Sequence, residues 1–159
     1  MKIEWRAVRG FEGRYEIGNH GVLRSVDRRV RFVSKAGKES TRVAHGMEIR
    51  PGRCRGYLIV NLSGHGTIAL HILVARAFCE GEAPGFEVNH MDGDKHNCAA
   101  SNLEWVTKTR NMEHAVDTGL NTQAVRVIDP ATGTVYPSMA RAAQEAGRSY
   151  RTVAKWSRA

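Results

Sequence analysis

Residues 86–115, FEVNHMDGDKHNCAASNLEWVTKTRNMEHA, collect side chains that could cut a phosphodiester bond with the help of a metal ion. His90 is the candidate base, because an imidazole titrates near neutrality and can take a proton from water. Asn89 beside it and Asn111 further on carry amide oxygens, and a hard cation such as Mg²⁺ takes oxygen ligands. Such a cation would bind the scissile phosphate and stabilise the charge on the departing sugar oxygen. Asn111 and His114 have the spacing that puts two side chains on one face of a helix. The same residues also suit a capped hairpin with ordinary polar loop side chains. Residue types alone leave both readings open.

The elements that must position these groups follow from the local pattern. Phe86–His90 predicts a short strand ending at the histidine. Met91–Ser101, with Asp92, Gly93, Asp94 and Asn97, predicts an ordered loop. Leu103–Val106 predicts a second strand, and Thr107 or Thr109 can cap a helix starting near Lys108. Asp92 and Asp94 have the Asp-x-Asp opening of a calcium loop but lack the Gly and Glu that would follow in one. They are expected to brace the loop through side-chain-to-backbone hydrogen bonds, with service as substitute metal ligands as the alternative. Asn102 is expected to tie this loop to the strand and so hold His90 in orientation. His114 is either a metal-side or phosphate contact or a structural hydrogen-bonding group.

Taken together, VNHMDGDKHN, then SNLEWVT, then NMEHAVDTGL resembles the core of HNH endonucleases of the phage and intron-encoded homing type. The upstream HILVARAF resembles the helix that precedes the core in that subgroup. The resemblance implies a ββα-metal fold, with His90 as general base and Asn102 as the middle Asn of the family name. It implies Asn111 as a metal ligand, together with the residue before the base, here Asn89. Some relatives carry Asp at that position, and a neutral amide holds a divalent cation less tightly. Mg²⁺ is the expected metal, with Mn²⁺ as the alternative, and no small-molecule cofactor is expected. The products implied are a 5′-phosphate and a 3′-hydroxyl.

Charge and composition point the same way. The chain has 159 residues, 42% apolar and 25% charged, which is the composition of a folded protein. No apolar run approaches the roughly 20 residues a membrane span needs, and MKIEWRAVRG has no apolar core of a signal peptide. Cys54, Cys79 and Cys98 form no CxxC pair, so a cysteine-built zinc site is not expected and a reducing cytoplasm is the simpler setting. The net charge of +8 is distributed in blocks. Residues 1–64 hold 14 Lys/Arg against 6 Asp/Glu, residues 65–120 hold 4 against 8, and residues 121–159 hold 6 against 2. Basic flanks would grip phosphates by counterion release, while an acidic centre would tolerate a divalent cation.

Towards the N-terminus, Trp5, Phe11, Tyr15 and Ile17 alternate with Gly10, Gly13, Gly18 and Gly21, which predicts short strands around a miniature core, with base-stacking as the other reading of the aromatic residues. This segment resembles the small module often found ahead of HNH cores. Arg28, Arg29, Arg31, Arg50, Arg53 and Arg55 are the DNA-contact candidates here; a two-stranded ribbon with arginines on one side could enter a groove or straddle a backbone, and a solvated basic hairpin with no base contacts is the other reading. A strand is expected at Tyr57–Leu62 and a helix across Ile68–Phe78, with His71 near its start in a packing or hydrogen-bonding role and catalysis as the alternative. Beyond a linker at Asp117–Gln123, a hairpin turns at Asp-Pro-Ala-Thr-Gly-Thr. Ser138 then caps MARAAQEAG and Ser149 caps YRTVAKWSR, the outline of a helix-turn-helix presenting Arg151, Lys155 and Arg158. A packing cap made of two helices is the other reading.

The expectation is an α+β modular protein. Residues 1–64 form a basic β-rich DNA-contacting module, 65–120 the HNH nuclease core, and 121–159 a hairpin with a helix-turn-helix. It would hydrolyse a phosphodiester bond in double-stranded DNA, nicking one strand, in the cytoplasm of a bacterial host and from a phage gene. The alternative is a DNA-binding regulator or architectural protein that keeps the fold without cutting. No membrane partner is expected, and the oligomeric state stays open.

Overall fold

The computed structural model describes residues 2–121 and 123–158, without the side chains of Ser157 and Arg158. The chain forms two compact units, residues 1–106 and 107–159.

In the first unit, β1 (Trp5–Ala7), β2 (Tyr15–Gly18) and β3 (Leu23–Ser25) form an antiparallel meander. β4 (Arg28–Val33) and β5 (Glu39–Ala44) pair as a separate hairpin, after which β6 (Glu48–Ile49) returns to the free edge of β3. β7 (Gly52–Cys54), β8 (Tyr57–Leu62) and β9 (Gly66–Ala69) form a second meander, and β9 runs straight into helix α1 (Leu70–Phe78). Next come β10 (Phe86–His90), a 3-10 turn at Ala100–Asn102 and β11 (Leu103–Thr107). One apolar core joins these parts. Ile17 and Leu23 from the first meander, Leu62 from the second, Leu70 and Val74 from α1, and Leu103 from β11 are all buried in it. Of the N-terminal aromatic residues, Tyr15 is buried in this core and Phe11 packs against it, while Trp5 meets the His20 ring and the Arg24 guanidinium instead. A backbone bond from Ala100 N–H to the Asn19 carbonyl (2.8 Å) ties the turn before β11 to the N-terminal sheet.

The β4–β5 register alters one expectation. Arg28 faces Ala44 and Val30 faces Arg42, while Arg29 faces Val43 and Arg31 faces Thr41. Cross-strand partners share a face and successive residues alternate faces. Arg28 and Arg42 therefore lie on one side of the ribbon and Arg29 and Arg31 on the other, so its arginines are not gathered on one side.

The second unit opens with α2 (Lys108–Asp117), capped by Thr107, whose hydroxyl oxygen accepts the Arg110 N–H (3.3 Å). β12 (Val127–Ile128) and β13 (Val135–Tyr136) make the small hairpin, followed by α3 (Met139–Glu145) and α4 (Tyr150–Val153). Ser138 and Ser149 cap these helices through the Arg141 and Thr152 N–H groups. Val127, Ala142 and Val153 form a separate small core. The second of these helices is much shorter than YRTVAKWSR. Trp156 packs against the small core, its ring 6.1 Å from that of Tyr136, and draws the chain out of the helix. β14 (Ser157–Arg158) then pairs with β12. Arg151 is helical, whereas Lys155 lies beyond the helix end and the Arg158 side chain falls outside the described residues.

Candidate active site

His90 ends β10 with only 6% of its surface exposed. Its ring meets that of His71 from α1 with centroids 4.9 Å apart, and Tyr57 of β8 stands 5.1 Å from His71 and 6.2 Å from His90. The Lys95 ammonium lies 4.6 Å from the centre of the Tyr57 ring, a cation–π distance. Among the described residues, His90 Nε2 and His71 Nδ1 are buried without a hydrogen-bond partner. Burial lowers the His90 pKa from its usual value; the Lys95 charge acts in the same direction, while the Asp92 and Asp94 carboxylates oppose it. Burial, with the charge of His90 behind it, pushes His71 down to about 4. Burial thus favours the neutral form of both rings, and a neutral imidazole is the form that accepts a proton.

A lattice of hydrogen bonds fixes the loop after His90. The Asn102 amide oxygen accepts the Asp92 N–H (3.0 Å), and its NH₂ donates to Asp92 Oδ1 (2.8 Å) and to the Asn97 carbonyl (3.0 Å). Asp92 also accepts from the Asp94 N–H and from the Asn97 amide, and Asp94 accepts the His96 N–H. These donors, Asn97 and Asn102 first, hold the Asp92 carboxyl below its usual pKa. Met91 N–H bonds the Asn102 carbonyl (2.9 Å), which joins the end of β10 to the start of β11. Asp92 and Asp94 brace the loop.

Asn89 is buried, at 5% exposure, and its NH₂ donates to Glu104 Oε1 on β11 (2.9 Å). The bonds from Met91 to Asn102 and from Asn89 to Glu104 show that the two strands run antiparallel, with residue 89 opposite 104. Among the described residues, no three His, Cys, Asp or Glu side chains converge as a metal cage. The donors present are amide and carboxylate oxygens. They fit a Mg²⁺-type cation, which keeps much of its water and is held by few protein oxygens together with substrate phosphate. Asn111 and His114 sit on α2, in the second unit, where each has a partner of its own.

Of the predicted DNA contacts in the first unit, Arg29, Arg31, Arg50, Arg53 and Arg55 are exposed and Arg28 is half-buried. The ion pairs among the described residues engage Arg6, Arg9, Arg24, Arg76, Arg110 and Arg141, and none of the six predicted contacts. Arg55 is the one described non-glycine residue with a positive φ, at +50°, beside Gly56 at +81°. The two form the tight turn between β7 and β8, a geometry that favours Asn-Gly and costs an arginine about 1 kcal/mol.

Sequence reasoning did not single out Tyr57, Lys95 or Glu104. Nothing in the spacing of the first two relates them to His90. Glu104 becomes visible once β10 and β11 are paired, because the register places it across from Asn89.

Residues 4–63 match the NUMOD4 motif and residues 69–113 match the HNH endonuclease family. The chain is 32% identical to the DNA endonuclease I-HmuI of Bacillus phage SP01, over 91% of this chain and 84% of that protein. It is 33% identical to an uncharacterized HNH endonuclease, L245, of Acanthamoeba polyphaga mimivirus, over 76% of this chain and 32% of that one. A solved structure titled for DNA binding and cleavage by the HNH homing endonuclease I-HmuI superposes with a TM-score of 0.57 at 30% identity, covering 95% of this chain and 87% of that one. With both blocks matched in order and a relative aligned along most of its length, the chain belongs to the HNH DNA endonucleases of the homing type.

Proposed function

We propose that this endonuclease nicks double-stranded DNA, with His90 as general base and Mg²⁺ as its metal. The observation that carries the reading is the buried His90 imidazole at the end of β10, next to a buried amide and followed by a loop braced by the Asn102–Asp92 lattice. His90 would take a proton from the attacking water as its oxygen bonds to phosphorus. Asn102 would keep that ring in place by fixing the loop that follows it. Asn89 would hold the cation through its amide oxygen, and Asn111 enters as a second ligand through the family resemblance. Bound there, Mg²⁺ would supply Lewis-acid stabilisation of the charge on the leaving sugar oxygen. His114 would contact phosphate or the metal's water.

Arg28, Arg29, Arg31, Arg50, Arg53 and Arg55 would hold the duplex by its phosphates, with Arg151 of α4, Lys155 just beyond that helix and Arg158 of β14 adding contacts. The module boundaries proposed are 1–64, 65–120 and 121–159. One such site cuts one strand, so the expected product is an open circle. The setting is the cytoplasm of a bacterial host, where phage DNA is found.

A supercoiled-plasmid assay tests this. Wild type should give open circles with Mg²⁺ and none with a chelator, and His90→Ala should bind the plasmid without cutting it. Cutting by His90→Ala at the wild-type rate would remove His90 from the chemistry, and cutting in chelator would remove the metal.

A further inference from the structure

Glu104 lies one strand away from the proposed metal ligand, and its only side-chain partner among the described residues is the Asn89 amide. The Glu104 carboxylate oxygen accepts this hydrogen bond, so it holds the NH₂ end of that amide. The amide is planar, and with its NH₂ fixed on Glu104 its oxygen is turned the other way. An amide left without such a partner could present either end. Asn89 is buried, so an NH₂ without an acceptor would also be costly, which sharpens the preference.

We infer that Glu104 is a positioning residue that orients the Asn89 amide with its oxygen towards the divalent cation, so that a neutral side chain at 89 serves as a ligand. The inference rests on the reading of Asn89 as a ligand. It explains why an amide at 89 is paired with a carboxylate at 104. A second carboxylate at 89 would bring two acceptor oxygens to about 2.9 Å with no donor between them. The pairing rule is that an acceptor belongs opposite Asn89 and a donor opposite an aspartate.

The test uses the full chain and Mn²⁺ alone as the probe, with free Mn²⁺ read by electron paramagnetic resonance well below each variant's melting temperature. Plasmid nicking is measured in parallel. Glu104→Ala should weaken Mn²⁺ binding by about 10- to 100-fold, the usual effect of removing a residue that orients a ligand. Glu104→Arg should weaken it at least as much, because the guanidinium would bond the Asn89 oxygen instead. Adding Asn89→Asp to Glu104→Arg should recover most of the affinity, since the introduced carboxylate and guanidinium form a matched pair that leaves a carboxylate oxygen for the metal.

Unchanged Mn²⁺ affinity in Glu104→Ala would overturn the inference, as would a double variant no better than Glu104→Arg alone. A purely structural role would move the melting temperature and leave the affinity of the folded protein unaltered, which also overturns it. Asn89→Ala separates this inference from the reading beneath it. If that variant binds Mn²⁺ and cuts like wild type, Asn89 is not a ligand and both fail. If it loses both while Glu104→Ala loses neither, only the role of Glu104 fails.

Discussion

Asn102→Ala removes the clamp between the loop and β11 without touching an apolar core residue. Asn102 is 8% exposed and makes three side-chain hydrogen bonds, to the Asp92 N–H, the Asn97 carbonyl and the Asp92 carboxylate. The first two contribute about 1 kcal/mol each, so the variant should lose at least ~2 kcal/mol, with the carboxylate bond adding to that. At a urea dependence of about 2 kcal/mol per molar, the unfolding midpoint should fall by about 1 M. The lattice also sets the position of His90, through Met91 N–H on the Asn102 carbonyl and Gly93 N–H on the His90 carbonyl (both 2.9 Å). A base displaced by an ångström costs on the order of 10²-fold in rate. Urea titration followed by circular dichroism gives the first quantity, and single-turnover nicking at a temperature where the variant is fully folded gives the second. Binding to the same duplex should change little. A midpoint within 0.2 M of wild type (about 0.4 kcal/mol on the same scale) would refute the clamp. A full cleavage rate in the destabilised variant would refute its connection to His90.

Three further outcomes follow from the same geometry. The nicking rate should rise with pH and level off, with its inflection below 6.5, because burial lowers the His90 pKa and only the neutral ring takes a proton; a pH–rate profile on pre-bound DNA checks this. His71, at about 4 in the folded chain against 6.5 unfolded, gains a proton on unfolding between those values, so its contribution to stability is complete above pH 6.5 and is lost as the pH falls towards 4. After discounting for the ring's partial access to solvent the loss is about 1–2 kcal/mol, and urea midpoints from pH 7 to 4 should show a shallower slope in His71→Phe. Arg55→Asn should relieve the left-handed backbone at the β7–β8 turn and stabilise by about 0.5–1 kcal/mol, while lowering the salt dependence of duplex binding by about 0.9 in log–log slope; melting and binding at several salt concentrations measure both.

The strand, loop, strand, helix order around His90 was legible because each step has a local signal. The polar loop, the apolar run and the Thr107 cap are written in consecutive residues, and so are the serine caps of α3 and α4. Long-range pairing was not legible. Ribbon faces depend on register, so the placement of Arg28 and Arg42 opposite to Arg29 and Arg31 required the β4–β5 pairing. The early end of α4 required knowing that Trp156 packs against the small core, since RTVAKWSR has nothing that stops a helix at Val153. Within the candidate site, His90, Asn89 and Asn102 announced themselves by residue type. Tyr57, His71 and Lys95 come from three separate elements, and folding alone brings them to one another. Glu104 was hidden for a different reason, as a glutamate on a half-exposed strand is an ordinary residue until its partner is known.

Chemical rescue tests the role of His90 most directly. His90→Gly should bind duplex DNA and cut it at least 10²-fold more slowly, within the range that general-base catalysis contributes. Added imidazole should restore part of the rate in proportion to its concentration, with Mg²⁺ present throughout. Cleavage by His90→Gly at the wild-type rate with no imidazole added would contradict the account.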